Sequence, residues 1–274
     1  RGLGDVYKRQ IVAIEPESGE LLALVSAPSY NPNLLVGRER SKNYYELYKD
    51  SIYRPLIDKG LLSTFPAGSP FKIIVGLIAL NEKIINDKNS IYCDGKYIYG
   101  KKKKSMKCHC GGGYRNIYNG ISESCNSYFA DIYRKTISKE NTISENFDNW
   151  STNVKSFGLG NYLNNDLPIG KKGMIPNSDF YDRWYPDFQW GPTTNLSNSI
   201  GQGEILVTPI QLANMMAAVA NKGFYYTPHI IKKIEGDSIP LRFRIRKDIN
   251  IEKKYFDVVE VGLAEVMKSG TGKP

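Results

Sequence analysis

The stretch Phe65-Pro-Ala-Gly-Ser-Pro-Phe-Lys72 places a hydroxyl and an amine three residues apart, where a long apolar run begins. Residues 73–80, Ile-Ile-Val-Gly-Leu-Ile-Ala-Leu, carry no charge, so the pattern predicts a helix buried on all sides with Lys72 in its first turn. Ser69 followed by Pro70 has the residue types of an N-cap with proline at the first helical position. That register makes Lys72 the N3 residue, beside Ser69 on one face. An ammonium in this setting is poorly solvated, and desolvation lowers its pKa until the amine becomes a usable general base. The chemistry is that of a nucleophilic serine carrying its own base. Ser-Pro is also an ordinary helix start, but Ser69 heads the only Ser-x-x-Lys tetrad in the chain.

A serine acylase needs a second hydroxyl to move the proton toward the leaving amine, and an amide to hold the substrate's peptide group. Ser124-Cys-Asn126 supplies both. Ser-x-Asn alone discriminates poorly, because Ser29-Tyr-Asn31, Ser41-Lys-Asn43 and Ser151-Thr-Asn153 also match. The setting Gly120-Ile-Ser-Glu-Ser-Cys-Asn-Ser-Tyr-Phe129 singles it out. Four cysteines, Cys93, Cys108, Cys110 and Cys125, surround His109. A zinc site of Cys93, Cys108, His109 and Cys110, a disulfide such as Cys93 to Cys108, and free thiols all stay open. The consecutive Cys-His-Cys lacks the gaps that let a turn wrap a tetrahedral ion, so free thiols, no metal and no cofactor are the expectation.

The elements that must position these groups follow from patterning. Residues 11–26 read as two apolar strands around a Glu-, Ser- and Gly-rich turn, a hairpin. Residues 28–64 read as a surface connection with a short helix near Asn43–Lys49, and the Ser69 helix comes next. A Gly- and Lys-rich excursion covers about 86–119, and a helix covers Ile121–Thr136. Residues 139–198 are mostly loop, apart from helical periodicity over 141–157. Val207–Gly223 holds a helix with Thr208 and Gln211 at capping-box spacing and Pro209 at its first position. A last amphipathic helix spans about Lys254–Met267, with Phe256, Val259, Leu263 and Val266 on one face.

With those residues in hand, the chain resembles the transpeptidase domain of class B penicillin-binding proteins, most closely the elongation-type enzymes of Bacteroidota-like bacteria. Val12–Pro28 looks like the family's opening hairpin, and Phe65–Lys72 like its nucleophile motif. Ser124-Cys-Asn126 looks like its second motif. Gly201-Gln-Gly203, with the Thr208-Pro209 helix, looks like the block before its C-terminal strands. The resemblance implies an α+β fold of the penicillin-binding transpeptidase and serine β-lactamase kind, an antiparallel sheet flanked by helices.

It also implies a peptidoglycan D,D-transpeptidase of cell wall synthesis. Ser69 attacks the carbonyl between the terminal D-alanines of a stem peptide, Lys72 is the base, Ser124 relays the proton and Asn126 binds the donor peptide. The acyl-enzyme passes to an amine of a neighbouring stem, giving a 4,3 crosslink, and β-lactams trap Ser69. Glycosyltransferase and elongation-complex membrane proteins are the implied partners. The implied location is the periplasmic face of the inner membrane, with an N-terminal anchor outside this chain. The family's third motif, Lys-Ser/Thr-Gly, is matched by Lys268-Ser-Gly270. That match directly follows a helical pattern with no apolar strand before it, so it reads as a helix end, with the true motif expected beyond Pro274.

Length and composition set the remaining bounds. At 274 residues and 41% hydrophobic, the chain can bury one large core. The first ten residues resemble a non-native adapter translation, which leaves 11–274 as one domain of a longer, C-terminally incomplete reading frame. Net charge is +9, or +7 without those ten, which carry three basic and one acidic residue. Charge and the Lys101–Lys104 run favour a solvated loop over a nucleic-acid face, since no periodic pattern presents them to a groove. Two rivals stand beside the transpeptidase. One is a serine β-lactamase or β-lactam sensor of the same fold, for which no motif places a hydrolytic carboxylate; the other is a non-catalytic basic module binding wall polymer or nucleic acid.

Overall fold

A computed structural model describes residues 9–273. The opening hairpin pairs β1 (Arg9–Ile14) with β2 (Leu21–Ala27), antiparallel, with Ile11 opposite Val25. Of the ten residues set aside in the sequence, 1–8 lie outside the described residues, whereas Arg9 and Gln10 pair with Ala27 and Ser26. α1 (Arg40–Lys49) and the short α2 (Lys59–Leu62) follow, then α3 (Lys72–Asn81).

The 86–119 excursion is an ordered hairpin, β3 (Ile91–Tyr99) with β4 (Lys104–Arg115). Its alternation is hidden by glycines at 111–113. Lys101–Lys103 form its turn and Lys104 opens β4, all of them exposed. Next come α4 (Ile117–Ser122), α5 (Asn126–Ile137), α6 (Ile143–Ser156) and α7 (Ser178–Trp184). α8 (Pro209–Ala220) starts at the expected Thr208–Gln211 capping box. A small pair, β5 (Phe224–Tyr225) with β6 (Lys247–Asp248), brackets α9 (Leu241–Arg244), and α10 (Lys253–Lys268) closes the order.

The fold is α+β. Among the described residues each β-sheet has two antiparallel strands, and helices form the core. α3 is buried from Lys72 to Leu80, as its unbroken apolar sequence requires. Trp150 of α6 links it to its neighbours: the ring sits 6.0 Å from Phe71, 5.3 Å from Tyr133 of α5 and 5.4 Å from Phe147. The opening hairpin seats Val12, Ile14, Leu21 and Leu24 on a smaller cluster of Leu61, Leu163 and Ile210. Tail residues Lys268 to Thr271 behave as a helix end. Lys268 pairs with Glu265 at 3.2 Å, and the Ser269 and Gly270 N–H groups both donate to the Glu265 carbonyl. No helix among the described residues is long and apolar enough to cross a membrane.

Candidate active site

Ser69 opens a 3-10 turn, Ser69–Phe71, that runs directly into α3. Gly68, at φ +66°, occupies the cap position, and no side-chain capping bond forms there. Ser69 is therefore not the N-cap that its sequence suggests. Gly68 supplies a left-handed backbone that a side chain would resist, and its carbonyl accepts from the Phe71 N–H at 3.0 Å. The Ser69 hydroxyl is left free of helix capping. The turn is held from below by antiparallel backbone: Phe65 and Val207 exchange bonds of 2.9 Å each, and the Gly68 N–H donates to the Gly201 carbonyl at 2.9 Å.

Lys72 is 3% exposed. Its ammonium donates to Ser124 Oγ at 2.9 Å, to the Ser124 carbonyl at 2.7 Å and to Asn126 Oδ1 at 2.6 Å. Ser124 Oγ in turn donates to Ser69 Oγ at 2.9 Å. The amine thus reaches the Ser69 hydroxyl through Ser124, not directly as stacking on one helix face would have it. Its three donors are taken by residues 124 and 126. Burial lowers the Lys72 pKa to about 8, against the opposing pull of the nearby sulfurs of Cys108, Cys125 and Cys110.

Ser124 sits in a break between α4 and α5 where the sequence pattern suggests one continuous helix. Its φ is +53°, a left-handed conformation that costs a non-glycine residue about 1–3 kcal/mol. The break exists because Cys125 is extended and caps α5, its Sγ accepting from the Tyr128 N–H at 3.4 Å. β4 grips the strained turn at both ends. Arg115 pairs with Glu123 at 2.7 Å while donating to the carbonyls of Cys110, Gly112 and Tyr114. Asn126 Nδ2 donates to the Lys107 carbonyl at 2.8 Å.

The four cysteines converge behind the same turn. Along β4 the side chains alternate, so Cys108 and Cys110 share the inner face while His109 is exposed on the other. Cys93 from β3 and Cys125 from the break complete the set, with all four sulfurs within 4.8 Å of one another. Sγ separations are 3.2 Å for Cys108–Cys110, 3.6 Å for Cys108–Cys125 and 3.7 Å for Cys93–Cys110. The thiols are not crosslinked. The bond to Cys125, together with the backbone N–H groups of Cys110 and Ser127, pulls the Cys108 thiol well below the usual thiol range. That same bond pushes Cys125 up, and burial pushes Cys110 up.

Four closely spaced sulfurs are the donor set of a tetrahedral thiophilic ion such as zinc, and these residues fit one. Cys108 and Cys110 lie on a strand, not in a turn, and Cys125 stands where the zinc set read from the sequence had His109. A period-2 reading of residues 104–110 is the signal that finds the pair.

Ser69, Lys72 and Ser124 line a groove of about 420 Å³ together with the apolar side chains of Ile121, Leu212, Met216, Leu263 and Val266. Thr271 reaches its rim, and its N–H donates to the Ser122 carbonyl at 3.0 Å. A hollow of about 500 Å³ beside α2 contains none of these groups.

The sequence profile described as penicillin binding protein transpeptidase domain matches residues 10–274. The chain belongs to this family. It is 32% identical over 269 residues to the peptidoglycan D,D-transpeptidase MrdA of Acinetobacter baumannii, covering 96% of this chain and 38% of that protein. It is 27% identical over 234 residues to MrdA of Escherichia coli K12, covering 84% of this chain and 35% of that protein. The chain spans about two fifths of the length of the curated relatives it matches. Among solved structures, Pseudomonas aeruginosa PBP2 in complex with WCK 5153 superposes with a TM-score of 0.81 at 31% identity, covering 96% of this chain and 58% of that one. The complex of PBP2 and MreC from Helicobacter pylori gives 0.80 at 28% identity, covering 97% and 46%. These neighbours establish the penicillin-binding transpeptidase fold.

Proposed function

We propose that this chain is the crosslinking domain of a peptidoglycan D,D-transpeptidase, acylated on Ser69 by stem peptides ending in D-Ala-D-Ala and by β-lactams. The observation that carries this reading is the continuous relay from Lys72 Nζ through Ser124 Oγ to Ser69 Oγ at the side of an open groove.

In the resting arrangement the donors run from Lys72 to Ser124 to Ser69. Loss of one ammonium proton, which a pKa of about 8 brings within reach of neutral pH, turns the relay round. Ser69 then donates to Ser124 and Ser124 to Lys72 as Ser69 Oγ attacks the carbonyl between the two D-alanines. When the C–N bond breaks, the proton returns through Ser124 to the departing D-alanine amine. The Ser69 N–H, at the start of the turn, is one donor for the oxyanion. Asn126 holds the Lys72 ammonium with Oδ1 and the Lys107 carbonyl with one Nδ2 hydrogen, which leaves the second Nδ2 hydrogen for a substrate amide.

Transfer to an amine is favoured over hydrolysis because no carboxylate lines the groove among the described residues, and much of its lining is apolar. The glycosyltransferase and elongation-complex partners rest on relatives: one is seen with MreC, and another in a peptidoglycan synthase complex that coordinates polymerization and crosslinking. On this reading the domain works at the periplasmic face of the inner membrane. Labelling the intact protein with a fluorescent penicillin, followed by peptide mapping, tests the assignment. A long-lived adduct on Ser69 is the expected result. An adduct on another serine sinks it, no adduct supports a binding module, and rapid release of hydrolysed drug supports the β-lactamase.

A further inference from the structure

We propose that the four-cysteine centre beneath the Ser124–Asn126 turn is an oxidation site, at which hydroperoxides form the disulfides Cys108–Cys125 and Cys93–Cys110 and thereby disarm the relay to Ser69.

The observed separations of 3.6 Å and 3.7 Å define a pairing that uses all four thiols and joins separate elements. The shorter Cys108–Cys110 contact joins residues i and i+2 of one strand. Their Cα atoms lie about 6.6 Å apart along an extended chain, at the upper limit for a disulfide. Oxidant enters from the side of Cys110, which is only half-buried while Cys93, Cys108 and Cys125 are buried.

The chemistry balances without any further reagent. The thiolate of one sulfur attacks the peroxide, the O–O bond breaks, and a sulfenic acid and an alcohol form. The partner thiol then displaces water from the sulfenic sulfur and the S–S bond closes. Each disulfide costs two thiols and one hydroperoxide and yields one alcohol and one water. Two equivalents complete both bonds.

The site is wired to the active site by covalent position. Cys125 is the middle residue of Ser124-Cys-Asn126. Cys108 Sγ accepts the Asn126 N–H at 3.1 Å, and Cys125 Sγ accepts the Tyr128 N–H at 3.4 Å. Closing 3.6 Å to the roughly 2.05 Å of an S–S bond draws both sulfurs off these amides. The first turn of α5 shifts, and with it the Asn126 and Ser124 groups that hold Lys72. A misplacement of about 1 Å in such a site costs on the order of 10²-fold in rate. A thiophilic ion on the same four sulfurs competes for the same lone pairs, so oxidation must expel it.

The acylation arm of the test rests on the reading of Ser69 given above, so a second readout is needed. The intact protein is reduced, assayed for bound metal, treated with hydrogen peroxide and mapped by mass under non-reducing conditions. Expected are the Cys108–Cys125 and Cys93–Cys110 peptides, about 10²-fold slower penicillin acylation and full recovery with a phosphine reductant. Faster hydrogen exchange over residues 124–128 and release of any bound ion in step with disulfide formation are also expected. His109→Ala, on the opposite face of β4, responds like the wild type; Cys125→Ala acylates at a rate that peroxide does not change. If Cys125→Ala does not fold, hydrogen exchange on the wild type decides alone. The proposal is overturned by thiols that stay reduced, by disulfides that leave acylation and exchange unchanged, or by an ion that remains bound under peroxide. If the reduced protein takes no penicillin, the transpeptidase reading fails, while the disulfide map and hydrogen exchange still decide this one.

Discussion

The Ser124–Asn126 turn has two sides that solve the same problem with different atoms. On the groove side, Ser69, Lys72, Ser124 and Asn126 converge through short hydrogen bonds, and one buried ammonium satisfies three acceptors. On the far side, four sulfurs crowd together with long, weak contacts. The groove side is closed by hydrogen bonds alone and can exchange protons without moving heavy atoms. The sulfur side takes only a few weak bonds from its surroundings and leaves four sulfurs able to ligate an ion or to join covalently. The lesson is that one strained turn is braced by a side that must stay labile and a side that must not.

The sharpest way to break the comparison is to remove the nucleophile. Ser69→Ala should abolish penicillin labelling with an unchanged melting temperature, because Ser69 makes no capping bond and deletes no buried partner. A large drop in melting temperature would show that the hydroxyl is structural. Lys72→Ala should slow acylation by about 10²- to 10⁴-fold while reversible ligand binding survives, since the amine acts on the proton. Stopped-flow rates near wild type would remove Lys72 from the relay.

The pH dependence sharpens the groove side. Only neutral Lys72 accepts a proton, so the acylation rate should rise about tenfold per pH unit below its pKa and level off above about 8. A flat profile between pH 6 and 9 would place the base elsewhere. The smallest effect on chemistry comes from emptying the sulfur side of an ion, as distinct from oxidising it. Protein purified under thiol protection should carry stoichiometric zinc that Cys108→Ser removes, and stripping it should lower the melting temperature more than it lowers acylation. Metal analysis that finds none would leave four thiols with no occupant.

How far the sequence reaches follows the same division. Ser69 and Lys72 are legible because the motif is local, sits at a Gly-Ser-Pro helix entry and precedes an uncharged run. α8 and α10 are legible for similar reasons, one by its Thr208–Gln211 cap and the other by Phe256 and Val259 on one buried face. The break at Ser124 is not, because the residues from Ile121 to Thr136 keep a helical pattern straight through it. Nothing local marks a non-glycine residue for the left-handed region; the Arg115–Glu123 pair and the Cys125 cap impose it from outside. The cysteine centre is hidden for another reason. Its members come from two strands and a helix cap, and Gly111 to Gly113 disguise the strand that carries two of them. The direct Lys72–Ser69 contact fails as an inference because three acceptors on residues 124 and 126 outcompete one hydroxyl.

Gly201 carries a consequence for how such a protein changes over generations. A Cβ there would lie 2.5 Å from the Gly68 carbonyl oxygen and 2.6 Å from the Phe71 Cβ, at a backbone φ of +67°. Gly201 therefore cannot take a side chain without moving the turn that carries Ser69. Small-step variation near Ser69 is left to side chains that line the groove, such as Leu212, Met216 and Leu263.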